Sequence, residues 1–142
     1  MNLDFENCLR KNKIRKFSPG KSLTGKEIAT AESDIKEAKE SFTREKYKWA
    51  TIQAYYSMFH SARALLYNKN YREKSHYCLI IALKVLYVET GELPVYLVEG
   101  LQRGKSLRED ADYYNEWSRI GTEEMINTAS EFLKVTKSIL KQ

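Results

Sequence analysis

A chain of 142 residues, 42% hydrophobic and 30% charged, is long enough for one domain to bury a core without metals or disulfides. That balance excludes a disordered chain, and no apolar run approaches the roughly 18 residues that a bilayer-spanning helix needs. The net charge of +5 is unevenly spread: Arg10, Lys11, Lys13, Arg15, Lys16, Lys21 and Lys26 fall in one stretch without an acid, whereas Glu109, Asp110, Asp112, Glu116, Glu123 and Glu124 gather later.

In chain order, a first helix is expected to start after Asp4, to pack Phe5, Cys8 and Leu9, and to end near Phe17, where Ser18-Pro19-Gly20 breaks it. Thr24-Gly25-Lys26-Glu27 fits a capping box for a second helix, with a hydroxyl at the cap and a carboxylate three residues on. Behind it Ile28, Ala31, Ile35, Ala38 and Phe42 recur at spacings of 3 and 4, one face of an amphipathic helix. After the polar stretch Thr43 to Lys46, a third helix spans Tyr47 to Asn68. A fourth follows Ser75 and runs to Thr90, with Gly91 as its stop. Pro94 opens a fifth, irregular at Gly104 and ending near Trp117, and Thr122 caps a sixth. No strand signal is evident. Short connections between helices predict an all-α, up-and-down bundle of five to six helices, a single domain over residues 1–142. Residues 1–25 form its basic N-terminal helix and loop, and residues 26–142 its core.

The N-terminus lacks the apolar segment of a signal peptide. Cys8 and Cys78 are too few for a disulfide framework and point to a reducing, cytoplasmic compartment with no membrane attachment.

The third helix carries three stripes at about 100° per residue. Ala50, Ala54, Ser57, Ser61 and Ala64 make a line of small side chains that lets another helix approach closely, from within the chain or from a second subunit. Ile52, Tyr55, Phe59, Ala62 and Leu66 form an apolar stripe opposite. Tyr56, His60, Arg63 and Tyr67 form the third, a line that can stack on a base and hold a phosphate. Its alternative is a bundle margin with buried stems and wet polar tips. The basic block, with Lys11, Lys13, Arg15 and Lys16 at its centre, has a similar pair of readings. It either neutralises nucleic-acid phosphates or complements the dipole at the end of the first helix.

Other chemistry finds little support. Gly20 to Lys26 has P-loop spacing, but Glu27 stands where a Mg²⁺-binding hydroxyl belongs, and no strand precedes it. His60 and His76 are the only histidines, too few to build a zinc site, so neither metal nor cofactor is expected.

Tyr55-Tyr56-Ser57-Met58-Phe59-His60-Ser61-Ala62-Arg63-Ala64-Leu65-Leu66, then Arg72-Glu73-Lys74-Ser75-His76, and later Leu107-Arg108-Glu109-Asp110-Ala111-Asp112-Tyr113, resemble the HEPN proteins of prokaryotes over about residues 28 to 140. The resemblance implies a helical bundle that dimerises and pairs with a small nucleotidyltransferase in a toxin–antitoxin-like module. Many HEPN proteins are metal-independent ribonucleases whose motif is an arginine, four to six residues, then a histidine. Here Arg108 matches the arginine, and Tyr113 stands at the histidine position. With an unperturbed pKa of roughly 10, a tyrosine is a poor general base at neutral pH. In some such pairs a tyrosine near the motif receives nucleotidyl groups; Tyr113 and Tyr114 are the candidates.

The resemblance therefore favours a module that binds RNA or a nucleotide, with Tyr56, His60, Arg63, His76 and Asp112 as ligand contacts beside Arg108 and Tyr113. A ribonuclease using Arg108 and a histidine from elsewhere, and a dimeric scaffold without ligand, are the alternatives.

Overall fold

A computed structural model describes residues 2–141; Met1 and Gln142, the ends of the expected domain, lie outside the described residues. The chain folds into helices around a long central one, with a short two-stranded ribbon at the N-terminal side.

Helix α1 (Leu3–Arg10) is capped by Asn2, whose side chain accepts from the Phe5 amide at 2.9 Å. It ends well before the expected Phe17. The Lys13 amide closes onto the Cys8 carbonyl, and Asn12 takes a left-handed φ of 61°, a conformation asparagine tolerates better than most residues. The chain then enters strand β1 (Ile14–Lys16), which pairs antiparallel with β2 (Tyr71–Glu73). The fold is the expected all-α bundle, and this short ribbon is an addition that no strand signal in the sequence announced. Three residues each are too short to display an alternation, and another asparagine, Asn70 at φ 59°, turns the chain into β2.

Helix α2 (Gly20–Thr43) starts four residues before the expected cap at Thr24, whose hydroxyl instead donates to the Lys21 carbonyl inside the helix. Gly20 is fixed by close approach: a Cβ there would lie 2.5 Å from the Tyr67 carbonyl oxygen. The earlier start frees Glu27 from any capping role and turns it inward.

Helix α3 (Tyr47–Asn68) has the expected bounds. Its small stripe is wholly buried, and α2 lies against it, close enough for the Ser57 hydroxyl to donate to the Ala31 carbonyl at 2.8 Å. The stripe's partner is thus within the chain. On the far side Tyr55, Ala62 and Leu66 are buried, while Ile52 and Phe59 are half-buried.

Helix α4 (His76–Leu83) is capped by Ser75 and widens into a π-helical turn over Lys84–Val88, before Gly91 at φ 82° ends the segment. The buried Tyr87 anchors that turn by donating its hydroxyl to the Leu65 carbonyl at 2.6 Å. Helix α5 (Val95–Tyr113) begins after Pro94 and stays helical through Gly104, where a Cβ would meet Met58 Cε at 2.8 Å. It stops at Tyr113 rather than Trp117, and Asn115 adopts a φ of 53° just beyond. Helix α6 (Arg119–Leu140) is capped by Ser118, not Thr122. Thr122 is buried one turn in, where its hydroxyl meets that of Thr51 at 2.8 Å. Among the described residues no helix is long and apolar enough to cross a membrane.

The two cysteines are joined, against the expectation of free thiols. Cys8 of α1 and Cys78 of α4 form a disulfide with a Cα–Cα distance of 5.8 Å, closing a loop of 70 residues. Phe5, Cys8 and Ile14 of the N-terminal segment share one buried core with α3 to α6. Replacing both cysteines by serine is expected to lower the unfolding free energy by up to about 4 kcal/mol, from loop-closure entropy. Urea titration of oxidised parent and variant would measure it. Equal midpoints would mean that the crosslink contributes no stability.

Candidate functional site

Two polar clusters flank an aromatic row on α3. The first ties α2, α3 and β2 together. Arg63 grips Glu73 with two bonds, Nη2 to Oε2 at 2.7 Å and Nε to Oε1 at 3.2 Å, a bidentate pairing that holds both side chains in plane. Its Nη1 lies 3.6 Å from Glu27 Oε1, and His60 Nδ1 lies 3.3 Å from the same oxygen. Burial pushes the Glu27 carboxyl upward, but the bond to His60 and the charges of His60, Arg63 and Lys26 hold it below the usual range. Burial also opposes the charge on Arg63, and Glu73 more than restores it. Both His60 and Arg63, expected as ligand contacts, are therefore engaged by carboxylates of their own chain. Tyr67, from the same stripe, is buried and stacks near Phe17 with ring centroids 5.0 Å apart.

The second cluster is built on α5 and faces the other end of the row. Arg108 has only 14% of its side chain exposed, and its guanidinium carbon sits 5.2 Å from the Tyr55 ring and 5.9 Å from those of Tyr56 and Tyr113. Its ion-pair partner is Asp112, one turn along, at 3.6 Å. Burial opposes its charge, but the phenolic oxygens of Tyr113, Tyr56 and Tyr55 outweigh this and raise the pKa. The Nε atom is buried without a hydrogen-bond partner among the described residues.

His76, at the first turn of α4, reaches the same cluster through Tyr55, whose hydroxyl lies 3.3 Å from Nδ1. Burial, with the charges of Lys105 and Arg108 added, pushes the imidazole down to about 4, although Glu109 pulls the other way. Tyr55 is pushed up to about 12, chiefly by burial. At neutral pH both are uncharged. With the Tyr55 hydroxyl donating to Nδ1, the imidazole proton sits on Nε2, which is buried and unpartnered among the described residues.

Of the residues expected to act together, the fold gathers Arg108, Tyr113, Asp112 and Tyr56, and adds His76 through Tyr55. It separates His60 and Arg63 from them, beyond Phe59. Lys11, Lys13, Arg15 and Lys16 lie on the end of α1 and on the ribbon. Sequence reasoning missed Tyr55, assigned to the apolar stripe, although a buried tyrosine hydroxyl needs a partner and so signals a polar neighbour. It also missed Glu27 and Glu73, whose partners come from other elements. Of the rings beside Arg108, Tyr113 is 66% exposed, and the chain just beyond it carries the exposed Tyr114 and Trp117. Among the described residues no group of His, Cys, Asp or Glu side chains could hold a metal ion.

A helical bundle with an arginine set among aromatic rings defines the class, and comparison with known proteins defines the family. The model of the HEPN domain matches residues 26–139, so the chain belongs to the HEPN domain family. It is similar to two proteins of Methanocaldococcus jannaschii, each named a "putative toxin". One is 32% identical over 116 residues, covering 81% of this chain and 87% of the relative. The other is 30% identical over 115 residues, covering 80% and 78%.

Two expectations follow from the clusters. Arg63→Ala leaves the largely buried Glu73 without its bidentate partner and Glu27 with His60, and should cost about 3 kcal/mol in a urea melt, with partial recovery when Glu73→Gln is added. A loss under 1 kcal/mol would show that the carboxylates find water instead. For His76, the folded pKa lies below the unfolded value of about 6.5, so the unfolded chain binds more protons in between. Stability should therefore fall as the pH drops from about 6.5 toward 4, and His76→Gln should flatten that slope. An NMR titration giving His76 an ordinary midpoint would contradict the burial described here.

Proposed function

We propose that this chain is a toxin-like HEPN protein that binds RNA through Arg108, acting as a homodimer with a small nucleotidyltransferase as its partner. The observation that carries this reading is the setting of Arg108: a guanidinium set among tyrosine rings and, among the described residues, ion-paired with Asp112 alone, with Nε lacking a hydrogen-bond partner. A phosphate is the anion such a fork accepts, and the exposed Tyr56 and Tyr113 offer rings on which an unpaired base stacks. A free nucleotide has the same chemistry and is the smaller ligand for this surface. The relatives' toxin names agree with this role. Trp117 and Ile120, exposed just after α5 and at the start of α6, are apolar side chains of the kind that a second copy would cover. Tyr113 and Tyr114 also leave their hydroxyls accessible to a nucleotidyltransferase.

A second reading, metal-independent RNA cleavage, is favoured by one specific feature. His76 and Arg108 contact the same residue, Tyr55, from opposite elements. In that reading Arg108 holds the scissile phosphate and His76 carries the proton, at the cost of a buried, weakly basic imidazole.

Incubating the purified protein with labelled single-stranded RNA in chelator separates the readings. Arg108→Ala is expected to weaken binding at least tenfold, by fluorescence anisotropy, while leaving the helical circular dichroism unchanged. Cleavage by the parent that vanishes in both Arg108→Ala and His76→Gln would establish the nuclease. Equal RNA affinity of parent and Arg108→Ala would refute the site.

A further inference from the structure

The ribbon carries a feature that the Arg108 site does not use. Antiparallel pairing sets Arg15 opposite Arg72. The Lys74 amide bonds to the Lys13 carbonyl and the Phe17 amide to the Asn70 carbonyl, each at 2.8 Å, so the ladder extends one pair beyond each side of the assigned strands. Alternation then sorts the side chains. Ile14 and Glu73 are buried beneath the ribbon, whereas Lys13, Arg15, Arg72 and Lys74 are exposed on its outer face, with Phe17 on the same side. Two like-charged pairs thus lie directly across from each other, about 5.5 Å apart and one rank about 7 Å from the next. Like charges in opposed positions are destabilising, and none of the ion pairs found among the described residues uses any of the four. Asp4 lines a hollow beside Lys13 without forming an ion pair with it.

We infer that this outer face is a second docking surface for RNA, gripping backbone phosphates between the paired cations of two sequence-distant segments. It deepens the proposed RNA reading and rests on it for the ligand. Phosphates offset the repulsion that the protein itself leaves standing. The Arg72 guanidinium lies 5.4 Å from the Phe17 ring centroid, a cation–π contact that holds it on this face. An RNA strand uses both features of a guanidinium, charge for phosphate and plane for base. A lipid surface would need apolar anchors free to insert, whereas Phe17, the apolar side chain on this face, is half-buried, with Tyr67 and Arg72 against its ring. The basic character continues at the end of the ribbon into a hollow of about 350 Å³ that Lys16 and Lys69 help to line.

Arg15→Glu tests the inference with a built-in control for folding. The new carboxylate faces Arg72 and relieves the like-charge opposition, so the melting temperature should equal or exceed the parent's. Affinity for labelled single-stranded RNA should nevertheless fall at least tenfold. The slope of log affinity against log salt should flatten by about 1.4, for two lost phosphate contacts. If Arg15→Glu does not fold, Lys74→Glu is the substitute, with the same expected direction. Unchanged affinity and slope, alongside weakened binding by Arg108→Ala, would overturn the ribbon surface and leave the Arg108 reading standing. Weakened binding by Arg15→Glu with no effect of Arg108→Ala would support the ribbon and overturn the Arg108 site. No RNA binding by the parent at low salt would overturn both. Ribbon-dependent binding to phosphatidylserine vesicles in place of RNA would overturn the RNA assignment.

Discussion

The close approach of α2 to α3 is the constraint on which the remaining geometry rests. Five small side chains on α3, all fully buried, allow the two backbones to come near enough for Ser57 to bond the Ala31 carbonyl. A larger residue on that line would force the helices apart by more than a hydrogen bond tolerates. The same approach brings Glu27 of α2 within reach of His60 and Arg63. A carboxylate in this position, mostly removed from water, must be paired, and Arg63 and His60 of α3 supply the partners. Packing of the smallest residues thus determines where the charged ones meet.

From there an aromatic row runs along α3. His60, Phe59 and Tyr55 follow one another, with Phe59 and Tyr55 stacked at 6.2 Å, and His76 of α4 adds a tilted ring at 6.3 Å from Tyr55. Arg63 sits over Phe59 at one end and Arg108 over Tyr55 at the other. The two arginines have similar aromatic settings and opposite electrostatic ones. Arg63 is matched by two carboxylates that are nearly buried, so its charge is spent internally. Among the described residues Arg108 has one ion-pair partner, Asp112, which is itself 41% exposed and screened by water. That asymmetry, more than the identity of the residues, separates a structural arginine from one available to a ligand.

How far the sequence disclosed this follows from which signals are local. The helical periodicity of α3, the breaks at Arg44 to Lys46 and Gly91, and the small stripe depend on near neighbours, and the structure has them where expected. The capping box at Thr24, the cap at Thr122 and the long first helix were misread. In each case a tertiary contact overrode a local preference: Gly20 against Tyr67, Thr122 against Thr51, and Ile14 drawn into a strand pair with a segment about 60 residues away. Tyr56, His60, Arg63 and Tyr67 lie on one helical line, but their side chains meet different surroundings. Which side chains on a line stay free depends on the carboxylates that other elements bring to it, and Glu27 and Glu73 carry no mark of this in their own neighbourhoods. The disulfide escaped for the same reason, since two isolated cysteines say nothing about the 5.8 Å between their Cα atoms.

The start of α4 shows how these separate contacts converge on one residue. Glu73, held by Arg63, ends the ribbon's second strand, and Ser75 caps the helix two residues later by accepting from the Cys78 amide. Cys78 is then bonded to Cys8, which ties the same turn to α1. His76 lies inside this frame, fixed on both sides in sequence before its own side chain makes any contact. An imidazole so placed loses little further freedom when it meets Tyr55, which makes a hydrogen bond of 3.3 Å to a neutral, buried partner sustainable. The ribbon and the first turn of α4 are one continuous segment, so the backbone that presents Arg72 and Lys74 on the outer face leads directly to His76 and, through Tyr55, to Arg108.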